Sequence, residues 1–70
     1  MATTVGSIGD TAGQIWSYLE KHGRSSVSAV EKAAKAPQRQ IHMAIGWLAR
    51  EGKVELGEDK RTLYIWLTGE

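Results

Sequence analysis

Apolar residues recur at helical spacing in the first part of the chain. One set follows the i, i+4, i+7, i+8, i+11 pattern of a single helix face: Ile8, Ala12, Ile15, Trp16 and Leu19. Ser7 and Asp10 have the spacing of a capping box before this face, and Gly23 is a typical residue just beyond a helix end. The pattern predicts a first helix over residues 8–22.

Two further helices are predicted in the middle of the chain, after a short strand-like crossing at residues 24–27. Ser28 and Glu31 have capping-box spacing and predict a helix over 29–35. Pro37 suits the first position of a third helix. The apolar stripe of that helix is Ile41, Ala44, Ile45 and Leu48. We expect this third helix over residues 37–51.

The end of the chain has the period of two that is typical of strands. Residues 53–56 and 62–67 alternate in this way, and they flank a charged loop at 57–61 in which Gly57 is the expected turn former. The pattern predicts an antiparallel hairpin over 53–67. Its second strand is apolar on both faces, so one face must meet the helices.

The order helix, short strand, helix, tight turn, helix, hairpin is that of a winged helix-turn-helix. Residues 44–54, Ala-Ile-Gly-Trp-Leu-Ala-Arg-Glu-Gly-Lys-Val, and the opening at residues 8–16 resemble a small bacterial and archaeal winged helix-turn-helix family of uncharacterised function. The resemblance implies an α+β fold in which three helices precede a two- or three-stranded C-terminal wing, within one domain at 1–70. By analogy it implies DNA binding. Pro37 departs from this family, which usually starts the third helix with a polar cap.

Length and composition narrow the function classes. Seventy residues favour one small domain with little stability to spare for a buried catalytic site. The absence of cysteine excludes disulfides and thiolate zinc sites. We find no membrane-length apolar run, no signal-peptide pattern and no catalytic or cofactor motif. We therefore expect a cytoplasmic protein that is not an enzyme and has no cofactor, metal, membrane partner or small-molecule substrate.

Positive charge is concentrated in the middle of the chain, although the net charge is only +1. Residues 35–54 hold four cationic side chains and one carboxylate, a net charge of +3. Recognition helices read base edges with their N-terminal residues, and wings contact phosphates. The candidate contacts with double-stranded DNA are Gln38, Arg39, Gln40, His42, Arg50, Lys60 and Arg61. Arg39 would pair with guanine, and Gln38 or Gln40 with adenine.

Two other interpretations of these residues stay open. The polar residues of the third helix are also what a solvated helix face requires. Trp47 either packs against the wing near Tyr64 or Trp66, or joins Met43 and Gly46 in an apolar patch for a protein partner or a second copy of the chain. In that alternative the domain is a protein-interaction or dimerisation module that does not bind nucleic acid.

Overall fold

Three helices precede a β-hairpin, and a two-residue strand between the first two helices joins the hairpin in one sheet. The computed structural model describes residues 5–69, with side chains from residue 7 onward. The elements are α1 (Val5–His22), β1 (Ser25–Ser26), α2 (Val27–Ala33), α3 (Gln38–Arg50), β2 (Val54–Asp59) and β3 (Thr62–Leu67). This is the predicted α+β winged-helix architecture, with a three-stranded sheet.

The third strand is the centre of the sheet. The order is β1-β3-β2 and both pairings are antiparallel. Ser25 pairs with Ile65, and Val54 pairs with Leu67. The short crossing predicted at residues 24–27 is therefore a real edge strand, which anchors the start of α2 to the wing.

One hydrophobic core lies between the helices and the inner face of the sheet. The buried apolar residues are Ala12, Ile15, Leu19, Val30, Ile41, Ala44, Ile45, Leu48, Val54, Ile65 and Leu67. They include the whole predicted stripe of α3, which confirms that this face of α3 points inward. Within residues 5–69, no helix has both the length and the hydropathy needed to cross a membrane.

The helix ends differ from the predicted ones. The first helix begins at Val5, so Ser7 lies inside it and does not cap it. The second helix begins at Val27 and is capped by Ser26, whose Oγ accepts a hydrogen bond from the Ala29 N–H at 3.1 Å. Pairing of β1 with β3 fixes the extended backbone of Ser26, and this selects Ser26 over Ser28 as the cap.

Pro37 is the N-cap residue of α3 and not its first helical residue. Its backbone is extended, with φ −60° and ψ 145°, and no side chain caps the helix at this end. The fixed φ of proline is compatible with this position, since an N-cap residue has extended geometry. The helix therefore runs over Gln38–Arg50, one residue shorter at each end than predicted.

The wing turn also differs from the prediction. Gly57 lies within β2, and the turn residues are Lys60 and Arg61, with φ of 50° and 70°. Gly57 is instead required by packing, because a Cβ there would lie 2.8 Å from Cη2 of Trp66. On the same outer face the Arg24 guanidinium stacks 4.2 Å from the ring centroid of Tyr64. Arg24 and Gly57 thus contact the two aromatic side chains on the outer face of β3, so this strand can be apolar on both faces.

Candidate nucleic-acid interface

The outermost stripe of α3 carries a cation at each end and an uncharged centre. Arg39, Met43, Gly46 and Arg50 are exposed and follow i, i+4, i+7, i+11 spacing, so they lie in one line opposite the buried stripe. Eleven residues at 1.5 Å each separate the two arginine Cα atoms by about 16 Å along the axis. We call this line the outer stripe of α3.

One flank of α3 faces α2. There the His42 Nε2–H donates a hydrogen bond to Glu31 Oε2 at 2.5 Å. The pKa of Glu31 is lowered, chiefly by this hydrogen bond and further by one from Gln38, while partial burial opposes the shift. His42 nevertheless remains 52% exposed, so the pairing orients its ring without removing it from the surface.

The opposite flank of α3 faces α1 and holds Gln40. The Gln40 Nε2 donates to Oγ1 of Thr11 at 2.6 Å and to the Ser7 carbonyl at 3.2 Å. Thr11 is 1% exposed, so this amide satisfies a buried hydroxyl. The structure therefore places Gln40 in the contact between α1 and α3, apart from the other predicted DNA-binding residues.

Trp47 lies on the same flank as Gln40 and does not reach Tyr64 or Trp66. It lines an open groove together with Trp16 of α1, and it is 44% exposed. Trp16 was expected on the buried face of α1, but it is 38% exposed, because it lies at the edge of that face. The predicted trio of Met43, Gly46 and Trp47 is thus divided between the outer stripe and this groove.

The wing brings two further cations towards α3. Lys60 and Arg61 are exposed at the turn, and Arg61 lines an open depression together with His42 and Glu31. The structure therefore brings Arg61 and His42 together, although 18 residues separate them in the sequence. Leu63, also at this depression, adds an exposed apolar side chain.

The four cations among the candidate DNA-binding residues are free of ion pairs in the described part of the chain. They are Arg39, Arg50, Lys60 and Arg61. Three carboxylates are close to them in sequence, namely Glu51, Glu58 and Asp59, and all three are exposed as well. The surface is consequently mixed in charge, with its cations concentrated at the two ends of α3 and at the tip of the wing.

The helix-turn-helix of α2 and α3, followed by an antiparallel hairpin that pairs with a short strand, defines a winged-helix protein. The chain belongs to the winged helix-turn-helix domain family DUF2582, whose model matches residues 1–67. It is similar to the uncharacterized protein MJ1608 of Methanocaldococcus jannaschii. The two are 45% identical over 65 residues, which cover 89% of this chain and 91% of the archaeal protein.

Proposed function

We propose that this domain is a transcription-regulator-like module that binds duplex DNA, with α3 in the major groove and the wing on the phosphate backbone. The observation that carries the proposal is the outer stripe of α3, which presents Arg39 and Arg50 to solvent with no ion pair to any described residue. The winged helix-turn-helix family supports the same use of α3 by analogy. The role we propose is one of binding, without catalysis.

Arg39 is the principal base-reading residue in this proposal. It lies in the first turn of α3, and N-terminal residues of a recognition helix reach base edges. A bidentate arginine contact to guanine discriminates against other bases by about 1–3 kcal/mol. Gln38 and His42 flank it on the side towards the wing, while Arg50 at the far end of α3 is positioned for a phosphate.

The wing tip supports the proposal through its backbone conformation. Lys60 and Arg61 both have positive φ, as the two central residues of a type I′ turn require. Such turns favour Asn-Gly, and a left-handed conformation costs an ordinary side chain about 1–2 kcal/mol. Strained backbone positions cluster at functional sites, so two cations held in this unfavourable conformation support our assignment of Lys60 and Arg61 to phosphate contact.

A second candidate function rests on the apolar centre of the outer stripe. Met43 is 44% exposed, and Gly46 has no atom within 4 Å of the position its Cβ would take. A protein partner would bury this centre, whereas a duplex would mainly contact the two arginines. The two functions therefore differ in their dependence on salt.

The test is a titration with a mixed-sequence duplex over a range of salt concentrations. If Arg50, Lys60 and Arg61 contact phosphates while Arg39 reads a base, the slope of log K against log salt is about −2.7, a loss of about 40-fold between about 50 and 200 mM. We expect Arg39→Ala to weaken binding, whereas Lys21→Ala, which removes an exposed cation from the end of α1, leaves it unchanged. Equal effects of the two substitutions, or no binding at low salt, would favour the protein-binding alternative.

A wing variant separates binding from stability. Replacing Lys60 and Arg61 together by Asn and Gly supplies the residues that the turn prefers. We expect the double variant to resist urea better than the wild type and to bind the duplex more weakly. A variant that is more stable and binds equally well would remove the wing from the interface.

A further inference from the structure

Two half-exposed tryptophans form an open groove between α1 and α3, on the flank away from the wing. Trp16 and Trp47 line it together with Gly9 and Gly13, and its volume is about 320 Å³. We call this feature the tryptophan groove. It is separate from the outer stripe of α3, because Trp47 lies on the α1 side of that helix.

The groove exposes tryptophan surface that a folded monomer would be expected to bury. Tryptophan is enriched at interface hot spots, and two of the three tryptophans in this chain line this one feature. Glycine is the least favourable helix residue after proline. Gly9 and Gly13 nevertheless lie inside α1, where a Cβ at either position would meet no atom within 4 Å. Packing within the chain therefore does not explain why glycine occupies these two positions, which form a recess on the surface of α1.

We propose that the tryptophan groove is a homodimer interface, occupied by the same groove of a second copy of this chain. The protrusion and the recess belong to one helical stripe, since Gly9, Gly13 and Trp16 follow i, i+4, i+7 spacing on α1. When two such helices cross antiparallel about a two-fold axis near Gly13, each Trp16 lies over Gly9 of the other copy. A surface that is complementary to itself is what a two-fold interface requires.

Charge at the rim fits the same arrangement. Lys53 lines the groove together with Trp16 and Ser17, in the C-terminal half of α1. Asp10 is exposed in the N-terminal half. Antiparallel pairing brings each Lys53 towards Asp10 of the second copy, so opposite charges meet twice. The net charge of +1 per chain adds little repulsion between copies.

The area needed is available on this face. A standard interface buries about 800 Å² on each partner, roughly one-sixth of the 4852 Å² surface of this chain. The face is built from two neighbouring helices, α1 of about 27 Å and α3 of about 20 Å in length. The dimer would leave the outer stripe of α3 and the wing free, so this proposal does not depend on DNA binding.

The experiment measures the mass of the full chain by light scattering and sedimentation equilibrium, over a range of protein concentrations and without DNA. We expect a reversible dimer of twice the 7.7 kDa chain mass. Gly13→Gln fills the recess with a better helix former, so the monomer stays folded and becomes more heat-stable, while the dimer weakens by at least about 30-fold.

The matched control is Gly46→Gln, the same substitution at an equally open glycine on the outer stripe of α3. It should stabilise the helix and leave the dimer intact. A second pair compares Trp16→Ala, which should weaken the dimer, with Met43→Ala, which should not. A chain that is monomeric at all concentrations overturns the proposal, as does a dimer that tolerates Gly13→Gln or dissociates equally with Gly46→Gln.

Charge reversal tests the antiparallel geometry. Lys53→Asp and Asp10→Lys should each weaken the dimer, and the double variant should recover most of the loss, because the opposite charges then face each other again. A double variant that is as weak as the sum of its parts would contradict the pairing of these two residues.

Discussion

Replacing Gln40 by alanine provides the sharpest test of the contact between α1 and α3. The substitution removes the hydrogen bonds from Nε2 to Thr11 Oγ1 and to the Ser7 carbonyl, at 2.6 and 3.2 Å. Thr11 is 1% exposed, so its hydroxyl loses a hydrogen-bond donor in the interior. A buried polar group left without a partner costs about 1–3 kcal/mol, and we expect a loss of about 2 kcal/mol in the free energy of unfolding.

That loss would be large for a domain of this size. A core from about 70 residues supplies about 3–5 kcal/mol of net stability. At about 4–8 °C per kcal/mol, the Gln40→Ala substitution should lower Tm by roughly 8–16 °C. Urea denaturation followed by circular dichroism measures the change directly. Gln38→Ala is the control, because Gln38 is exposed two residues earlier and its hydrogen bond to Glu31 lies at the surface, so its loss should change stability by about 0.5 kcal/mol.

A double-mutant cycle with Thr11→Val attributes the loss to one hydrogen bond. When the hydroxyl is absent, Gln40→Ala should cost less, and the difference is the coupling energy between the two side chains. Duplex binding of the folded Gln40 variant should equal that of the wild type. If the variant is as stable as Gln38→Ala, or if it loses duplex affinity at unchanged stability, then Gln40 is a surface residue and our account of this contact is wrong.

Three further substitutions test local features of the fold. Ser26→Ala removes the side-chain cap of α2 and should cost about 1 kcal/mol, measured by urea denaturation. Gly57→Ala places a Cβ 2.8 Å from the Trp66 ring, and this overpacking should cost about 1–3 kcal/mol, visible as a lower Tm. The lowered pKa of Glu31 means that its ionised form adds stability above the usual pKa of glutamate, and this contribution is lost as the pH falls through the lowered value. Glu31→Gln should therefore weaken the fold at neutral pH. At an acidic pH that protonates the carboxyl of the wild type, the substitution should weaken the fold less. Urea midpoints at the two pH values measure this, and an equal loss at both would show that the hydrogen bond from His42 does not favour the charged form.

The sequence predicted the helical and extended segments because their periodicity is local. The buried stripe of α3 is fixed by the 3.6-residue repeat alone, and the structure buries all four of its members. The helix starts were less predictable, since Ser26 and Ser28 both precede helical residues. What decides between them is the pairing of Ser26 with Tyr64, a contact that spans 38 residues. The start of α2 therefore depends on the wing.

The candidate site was predicted as a set of residues on α3 and at the wing turn, without the contacts that each of them makes. Periodicity shows which side of α3 is buried, but it does not say what lies against each flank. Gln40 and His42 are two residues apart and both polar, yet one contacts Thr11 of α1 and the other Glu31 of α2. The tryptophan groove was missed for the same reason. The sequence feature that could have indicated it is the pair of glycines inside α1. Glycine has poor helix propensity, and both glycines lie at helical spacing on the same face as Trp16.

The salt dependence of duplex binding tests the DNA-binding proposal and the homodimer proposal together. Its outcomes show which of the two is wrong if only one of them is. One copy offers three phosphate-contacting cations and a slope of about −2.7, whereas a dimer that engages both copies offers six and a slope of about −5.4. Because none of these cations lines the tryptophan groove, Gly13→Gln should reduce the steeper slope to the shallower one without changing the contacts of each copy. If the wild-type slope is about −2.7 and Gly13→Gln does not alter it, single copies bind the duplex even if the free protein is a dimer. A dimer bound through both α3 helices should also prefer half-sites about 34 Å apart, the length of one turn of the duplex.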